Sequence, residues 1–139
     1  MAFAINHIHL KSHDPGKTAE WWGQAFNFEV VRDFVRDSGD RFIACRSENG
    51  ITVNISGAKD GEPLGPGDAG VHEGLEHFGL DSENLEADIE RLTAVGATLL
   101  EGPLEAGPGI RICFIQAPDD VRIELIERTA SSQAGGRER

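Results

Sequence analysis

The sequence predicts an α+β fold built from two tandem copies of one βαβββ module. A repeat at a spacing of 70 residues is the first observation: INHIHLKS at 5–12 matches LEHFGLDS at 75–82, and ITVNI at 51–55 falls on VRIEL at 121–125. The second observation is that both halves show the same order of hydrophobic periodicities, first strand-like, then helical, then strand-like three times. A chain of 139 residues is long enough for one compact domain made of these two modules.

The first module is predicted at 3–56. Its helix follows the first strand, with Asp14 as the N-cap and Pro15 at the first helical position. The Trp21-Trp22 pair lies on this helix, where at least one ring is expected to pack in the core. The strands of this module are predicted at about 3–11, 28–36, 41–46 and 50–56.

The second module is predicted at 74–127. Leu85, Ile89 and Leu92 form the apolar stripe of its helix, and Gly96 suits a left-handed helix end. Its strands are predicted at about 74–81, 97–101, 110–117 and 120–127.

Three segments lack strand or helix periodicity. Residues 57–73 are rich in Gly, Pro and Asp and are predicted to be the linker between the modules. The Gly/Pro stretch at 102–109 is predicted to be a loop between two strands that could act as a flap. The polar segment 129–139 is predicted to be a flexible tail.

Composition argues against nucleic-acid and membrane partners. The formal net charge is -11, and no basic patch is evident that could attract a polyphosphate or an anionic membrane surface. Cys45 and Cys113 lie in apolar runs without metal or disulfide spacing, which is typical of buried, reduced thiols. We therefore expect a cytoplasmic protein that acts on a small molecule.

Strand alternation places a set of polar side chains opposite the helix-packed faces. Because Ile8, Phe78 and Ile123 are assigned to the packed faces, their neighbours point to the opposite, cleft-facing side. Two neutral imidazoles and one carboxylate on such a surface can hold Zn, Mn, Fe, Co or Ni and leave positions open for water or substrate. The polar residues on this side are His7, His9, Thr52, Asn54, His77, Arg122 and Glu124.

The segments NHIHLKSHDP, LEHFGL and VRIELIE resemble the signature segments of the vicinal oxygen chelate (glyoxalase, bleomycin resistance and extradiol dioxygenase) superfamily. The resemblance spans about residues 3–127. It implies a half-open, barrel-like mixed sheet of the glyoxalase-like type around one divalent metal ion, with His7, His77 and Glu124 as ligands. Many members are dimers, so the resemblance also implies a homodimer.

Asn54 departs from the glyoxalase I pattern, in which a carboxylate commonly stands at the fourth ligand position. An amide has no basic lone pair at neutral pH, so a proton shuttle between two carboxylates is not expected. The resemblance then implies a metal-dependent lyase or isomerase, in which the cation chelates substrate oxygens and stabilises an enolate or oxyanion. An extradiol-type Fe(II) dioxygenase, a fosfomycin-type transferase and a non-catalytic drug- or metabolite-sequestering protein are the alternatives.

Each polar residue receives an expected role. Glu124 is a ligand that could also accept a proton, and His9 is the candidate acid or base beside the metal. Arg122 would bind a substrate carboxylate or neutralise Glu124, and Asn54 would contact the substrate. The expected partner is a small oxygenated organic substrate.

Overall fold

The computed structural model describes residues 2–129. The chain divides into two compact units between Pro66 and Gly67, a boundary that lies inside the predicted linker. Each unit contains one α-helix and one four-stranded mixed sheet in the order βαβββ, which confirms the α+β class and the two tandem modules. None of the helices in residues 2–129 is long and apolar enough to cross a membrane.

Unit one carries its strands in the sheet order β1-β4-β3-β2, with β1 parallel to β4 and the other neighbours antiparallel. Its core lies between the helix and one face of this sheet, where Trp22, Ile43 and Ile55 are almost fully buried. The elements are β1 His7–Lys11, α1 Pro15–Phe26, β2 Glu29–Val35, β3 Arg41–Arg46 and β4 Thr52–Ser56.

Helix α1 begins where its sequence predicts. The Asp14 side chain accepts a hydrogen bond from the Lys17 backbone N–H, which satisfies one donor that the first turn leaves free. The helix ends at Asn27, whose backbone is left-handed (φ 58°). Trp22 is fully buried and stacks on Phe28 with ring centroids 5.2 Å apart, which confirms its predicted role in packing.

Unit two repeats the arrangement with the sheet order β5-β8-β7-β6 and a parallel pair of β5 and β8. Leu85 and Leu92 of its helix pack with Ile123 and Leu125 of β8 in a fully buried core. Gly96 has φ 106°, so it takes the left-handed conformation that its position predicted. The elements are β5 Phe78–Asp81, α2 Leu85–Ala94, β6 Thr98–Gly107, β7 Ile110–Ala117 and β8 Val121–Arg128.

The prediction of a loop at 102–109 is wrong, because β6 continues to Gly107 and only a tight turn separates it from β7. The glycine and proline residues of this segment led to the prediction of a loop where the structure has a strand. They are tolerated because β6 is an edge strand whose pairing with β7 shifts register between Glu101 and Leu104. A side chain at Gly102 would place its Cβ 2.7 Å from the Ile112 carbonyl oxygen, so the backbone approach there requires glycine.

The first strand of each module is shorter than predicted. β1 begins at His7 and β5 at Phe78, so His77 immediately precedes its strand. The predicted tail lies outside the described residues except for Thr129, whose N–H donates to the Gly109 carbonyl.

Candidate functional site

In unit two, His77 and Glu124 lie together on the sheet face opposite the helix. Ile123 and Leu125 of β8 point into the core, so Glu124 between them points the other way. The Nε2 atom of His77 is 3.8 Å from Oε1 of Glu124. Their side chains are 29% and 16% exposed, so both are shielded yet accessible to a small ligand.

A second carboxylate fixes the other nitrogen of His77. Nδ1 of His77 donates to Oε1 of Glu76 at 3.0 Å. Because an ionised carboxylate only accepts hydrogen bonds, this contact requires a proton on Nδ1, and in the neutral ring Nε2 then keeps its lone pair. This is the tautomer that a metal ligand bound through Nε2 requires, and metal-bound histidines commonly have such a carboxylate partner.

Arg122 is buried on the same face, with only 7% of its surface exposed. Its guanidinium donates to the Ala69 carbonyl at 3.0 Å and to the Glu101 carboxylate at 3.3 Å, and lies 4.3 Å from the ring centroid of Phe114. Its Nε is 3.7 Å from Oε1 of Glu76. The cation is thus surrounded by two carboxylates, one carbonyl and one aromatic face.

In unit one, His7 and His9 lie on the matching face of β1. His7 pairs in register with Thr52, and His9 with Asn54, so the polar side chains that the alternation placed together are adjacent in the sheet. Nδ1 of His7 lies 2.5 Å from Oδ1 of Asn6, which repeats the contact between His77 and the residue before it.

His9, like His7, is an exposed residue of β1, but its ring has contacts with two further side chains. Its Nε2 lies 2.7 Å from the hydroxyl of buried Ser56, and its ring packs edge-on against Phe42 at 5.6 Å. Burial lowers the pKa of His9 below the usual 6.5, and the positive charges of Lys11 and Arg36 lower it further. The imidazole is therefore neutral at physiological pH and able to accept a proton.

The His77–Glu124 pair fits a divalent ion. Histidine nitrogens and carboxylate oxygens lie about 2.0–2.2 Å from zinc and similar ions, so donor atoms 3.8 Å apart can bind one ion together. Nitrogen and oxygen donors of this kind suit Zn, Mn, Fe, Co and Ni. Residues 2–129 contain no group of three or more His, Cys, Asp or Glu placed to hold a metal.

A pocket of about 490 Å³ opens beside Arg122 in unit two. Asp119 and Asp120, in the turn before β8, both have positive φ, which non-glycine residues adopt only at a cost. The pocket is lined by Gly67, Asp68, Ala69, Gly70, Leu100, Gln116, Asp120 and Arg122.

Three residues of the unit two site were missed from the sequence: Glu76, Glu101 and Phe114. A signal existed for Glu76, since the residue before each repeated histidine carries a side-chain acceptor, Asn6 in one module and Glu76 in the other. Phe114 reaches Arg122 from the adjacent strand β7 and Glu101 from the next strand, β6, and strand pairing cannot be read from sequence spacing alone.

Solved structures with the same fold include several glyoxalase relatives. A glyoxalase family protein from Bacillus cereus is 12% identical with a TM-score of 0.82, covering 94% of this chain and 97% of that one. A fosfomycin resistance protein from Listeria monocytogenes, in complex with Mn(II) and sulfate, is 19% identical with a TM-score of 0.68, covering 96% and 99%. A variant of glyoxalase I from Zea mays is 21% identical with a TM-score of 0.71, covering 89% of this chain and 44% of that one.

Family assignment rests on the sequence match. No curated protein sequence matches the chain. The family model described as Glyoxalase/Bleomycin resistance protein/Dioxygenase superfamily matches residues 6–114, which is most of the chain and includes His7, Asn54 and His77. The chain therefore belongs to the glyoxalase, bleomycin resistance protein and dioxygenase superfamily.

Proposed function

We propose that this protein is a metal-dependent glyoxalase-like enzyme, a lyase or isomerase, in which His7, His77 and Glu124 hold one divalent cation. The observation that carries the proposal is the pair of donor atoms on His77 and Glu124, 3.8 Å apart, with the Nδ1 proton of His77 engaged by Glu76. His7 holds the equivalent position in the first module and is the third ligand of the proposal.

The bound ion would act as a Lewis acid that polarises oxygen atoms of the substrate. His9 is neutral and would accept a proton from a carbon or oxygen next to the polarised group. Glu124 has a second carboxylate oxygen that could serve the same purpose. The N–H groups of Asn54 and Arg122 would donate hydrogen bonds to substrate oxygens and orient them.

Asn54 separates this site from one with two opposed carboxylates. The amide binds and orients but does not accept a proton at neutral pH. Proton removal and return are then assigned to different groups, His9 and Glu124. We propose a small oxygenated organic molecule as substrate.

The similar structures suggest which ions to test first. The protein from Listeria monocytogenes was crystallised with Mn(II), and at 19% identity this likeness is evidence for the fold only. Mn(II) belongs in the metal series with Zn, Co, Ni and Fe(II) because the chain's own ligand set of nitrogen and oxygen donors is compatible with all five.

The proposal is tested by elemental analysis of protein purified without chelator, followed by a substrate screen with the metal found. Small hydroxycarbonyl, dicarbonyl, epoxide and catechol compounds cover the chemistry of interest. Turnover that a chelator abolishes and Zn, Mn, Co or Ni restores supports a lyase or isomerase. Oxygen uptake with Fe(II) would instead identify the protein as a dioxygenase. Tight ligand binding without metal would identify it as a sequestering protein.

A further inference from the structure

The two modules support their equivalent histidines in different ways. The residue before the histidine is Glu76 in module two and Asn6 in module one. At the same spacing of 70 residues, three further positions of the module two site have uncharged or smaller counterparts: Arg122 corresponds to Thr52, Phe114 to Ala44 and Glu124 to Asn54. At these four pairs of positions, charged side chains therefore occur only in module two.

The charged groups of module two meet at one carboxylate oxygen. Oε1 of Glu76 accepts the Nδ1 proton of His77 at 3.0 Å and faces Nε of Arg122 at 3.7 Å. That Nε is buried and has no hydrogen-bond partner among the described residues. The rest of the guanidinium is fixed by Ala69 and Glu101, so its Nε is held facing Glu76.

Phe114 supports both ends of this arrangement. The guanidinium of Arg122 lies over its ring at 4.3 Å, and the ring of His77 packs edge-on against it at 5.0 Å. The aromatic side chain thus limits the motion of the two groups that contact Glu76.

We propose that Glu76 is a positioning residue for His77 and is held in place by Arg122. Through this contact, module two contributes more to the affinity for the metal than module one does. The carboxylate keeps the proton of His77 on Nδ1 and makes Nε2 a stronger donor to a metal. The neutral amide of Asn6 forms a weaker hydrogen bond and gives His7 less of this effect. The claim on metal affinity depends on the proposed metal function, but the claim on the tautomer of His77 does not.

The first experiment needs no metal. The ring ¹⁵N chemical shifts of His77, measured above pH 8 in chelator, report which nitrogen carries the proton. We expect the Nδ1–H form in the natural protein and a shift toward the Nε2–H form in Glu76→Ala, because the neutral histidine side chain in water favours Nε2–H. An unchanged Nδ1–H form in Glu76→Ala would overturn the positioning role.

The second experiment measures the affinity for Co(II), a spectroscopic probe, by competition with a chelating dye. Removal of such a supporting carboxylate costs about 10- to 100-fold in metal affinity, and we expect this loss in Glu76→Ala. Glu76→Gln keeps an acceptor without the charge and should recover part of the loss. Glu73→Ala is the matched control, since it removes an equal charge from an exposed carboxylate near the same strand.

Arg122 is tested by Arg122→Lys, which keeps the charge but lacks Nε. If Arg122 acts through Glu76, the single variant Arg122→Lys should have a lower Co(II) affinity than the natural protein. The double variant Glu76→Ala with Arg122→Lys should then bind Co(II) as Glu76→Ala alone does. Additive losses of Co(II) affinity in the double variant would show that Arg122 does not act through Glu76. Equal Co(II) affinity in Glu76→Ala and the natural protein would overturn the positioning role while leaving the metal function intact. Absence of Co(II) binding by the natural protein would overturn the metal function, and the ¹⁵N result would still decide the tautomer.

Discussion

At the scale of single residues, His77 is the side chain whose surroundings most resemble those of a metal ligand. Its Nδ1 donates to a carboxylate and its Nε2 faces another. We expect His77→Ala to fold normally and to lose metal content and turnover by orders of magnitude, because two remaining ligands hold a divalent ion poorly.

Metal content by elemental analysis and the melting temperature by calorimetry check this prediction. His72→Ala is the control, because His72 is an exposed histidine of the same unit, with its ring Nδ1 2.9 Å from the backbone carbonyl oxygen of the neighbouring Glu73. Full metal occupancy in His77→Ala would remove His77 from the site.

His9 is predicted to act in chemistry and not in metal binding. It lies two residues from His7 on the same strand face, about 6–7 Å along the strand, and its neutral ring can accept a proton. His9→Ala should keep nearly full metal content and lose roughly 10²- to 10⁴-fold in turnover, the range for a removed general acid or base. The exposed His13 supplies the control substitution. Parallel loss of metal and turnover would instead make His9 a ligand or a structural support.

Asp40 is a buried carboxylate that stabilises unit one and makes stability depend on pH. It accepts hydrogen bonds from Arg36 at 2.9 Å and from the Ser38 hydroxyl at 2.6 Å, and these partners hold its pKa well below the usual range. Because the pKa is lower in the folded than in the unfolded chain, the stabilisation is complete above about pH 4 and is lost as the pH falls further.

The corresponding test compares the melting temperature of Asp40→Asn with that of the natural protein from pH 7 to pH 3. We expect the variant to melt several degrees lower at pH 7 and the difference to shrink below about pH 4. Asp37→Asn, at an exposed position, should change little at any pH. A difference that stays constant down to pH 3 would show that the charge of Asp40 is not what stabilises the fold.

At the scale of elements, the sequence predicted best where local chemistry alone decides the structure. The cap of α1 at Asp14 and the left-handed turn at Gly96 depend on neighbouring residues and were both found. The extent of β6 depends on pairing with β7, which overrides the local preference of Gly102 and Pro103 for a loop. Long-range pairing therefore set the limit of the prediction.

The same limit applies to the candidate site. Strand alternation correctly placed His9 with Asn54 in unit one, and Arg122 on the face of Glu124 in unit two. It could not reveal that Arg122 is buried against Phe114 and paired with Glu101, since Phe114 lies on β7 and Glu101 on β6. A residue's face was predictable, but its partners were not.

Strands β4 and β8 are equivalent elements, and this equivalence predicts the effect of a charge at Asn54. Asn54 and Glu124 hold the same position in the two modules, in register with His9 and Gly79 respectively. Asn54→Glu should retain the metal and bind it about tenfold more tightly, because a charged oxygen ligand is added. The measurement is Co(II) affinity by dye competition.

A control is needed because the protein is strongly acidic, with a net charge of -11, and any added carboxylate attracts cations weakly. Asn49→Glu adds the same charge at an exposed turn and should change the affinity little. Loss of metal in Asn54→Glu would mean that Asn54 is not beside the ion and would undercut the equivalence of the two strands at the site.

At the scale of the whole molecule, duplication supplies two similar frameworks that have diverged in chemistry. Each unit has its own buried core, with Trp22 and Ile55 in one and Leu92 and Ile123 in the other. The buried core thus stabilises each unit without help from the polar face, so the polar residues can differ between the units. Module two carries the carboxylates and Arg122, whereas module one has uncharged side chains at the corresponding positions beside His7.

This divergence predicts one metal ion per chain and not one per module. Module one offers imidazoles and an amide but no carboxylate at the position of Glu124, so it should not hold an ion by itself. A Co(II) titration should therefore saturate at one ion per chain, and both His7→Ala and His77→Ala should abolish tight binding of that same ion. The bound ion should also raise the melting temperature, since a ligand at 100 times its Kd stabilises the folded state by about 2.7 kcal/mol, and a chelator should reverse the rise. Two ions per chain, with each variant keeping one, would show that the modules bind metal independently and that His7 is not a ligand of the ion held by Glu124.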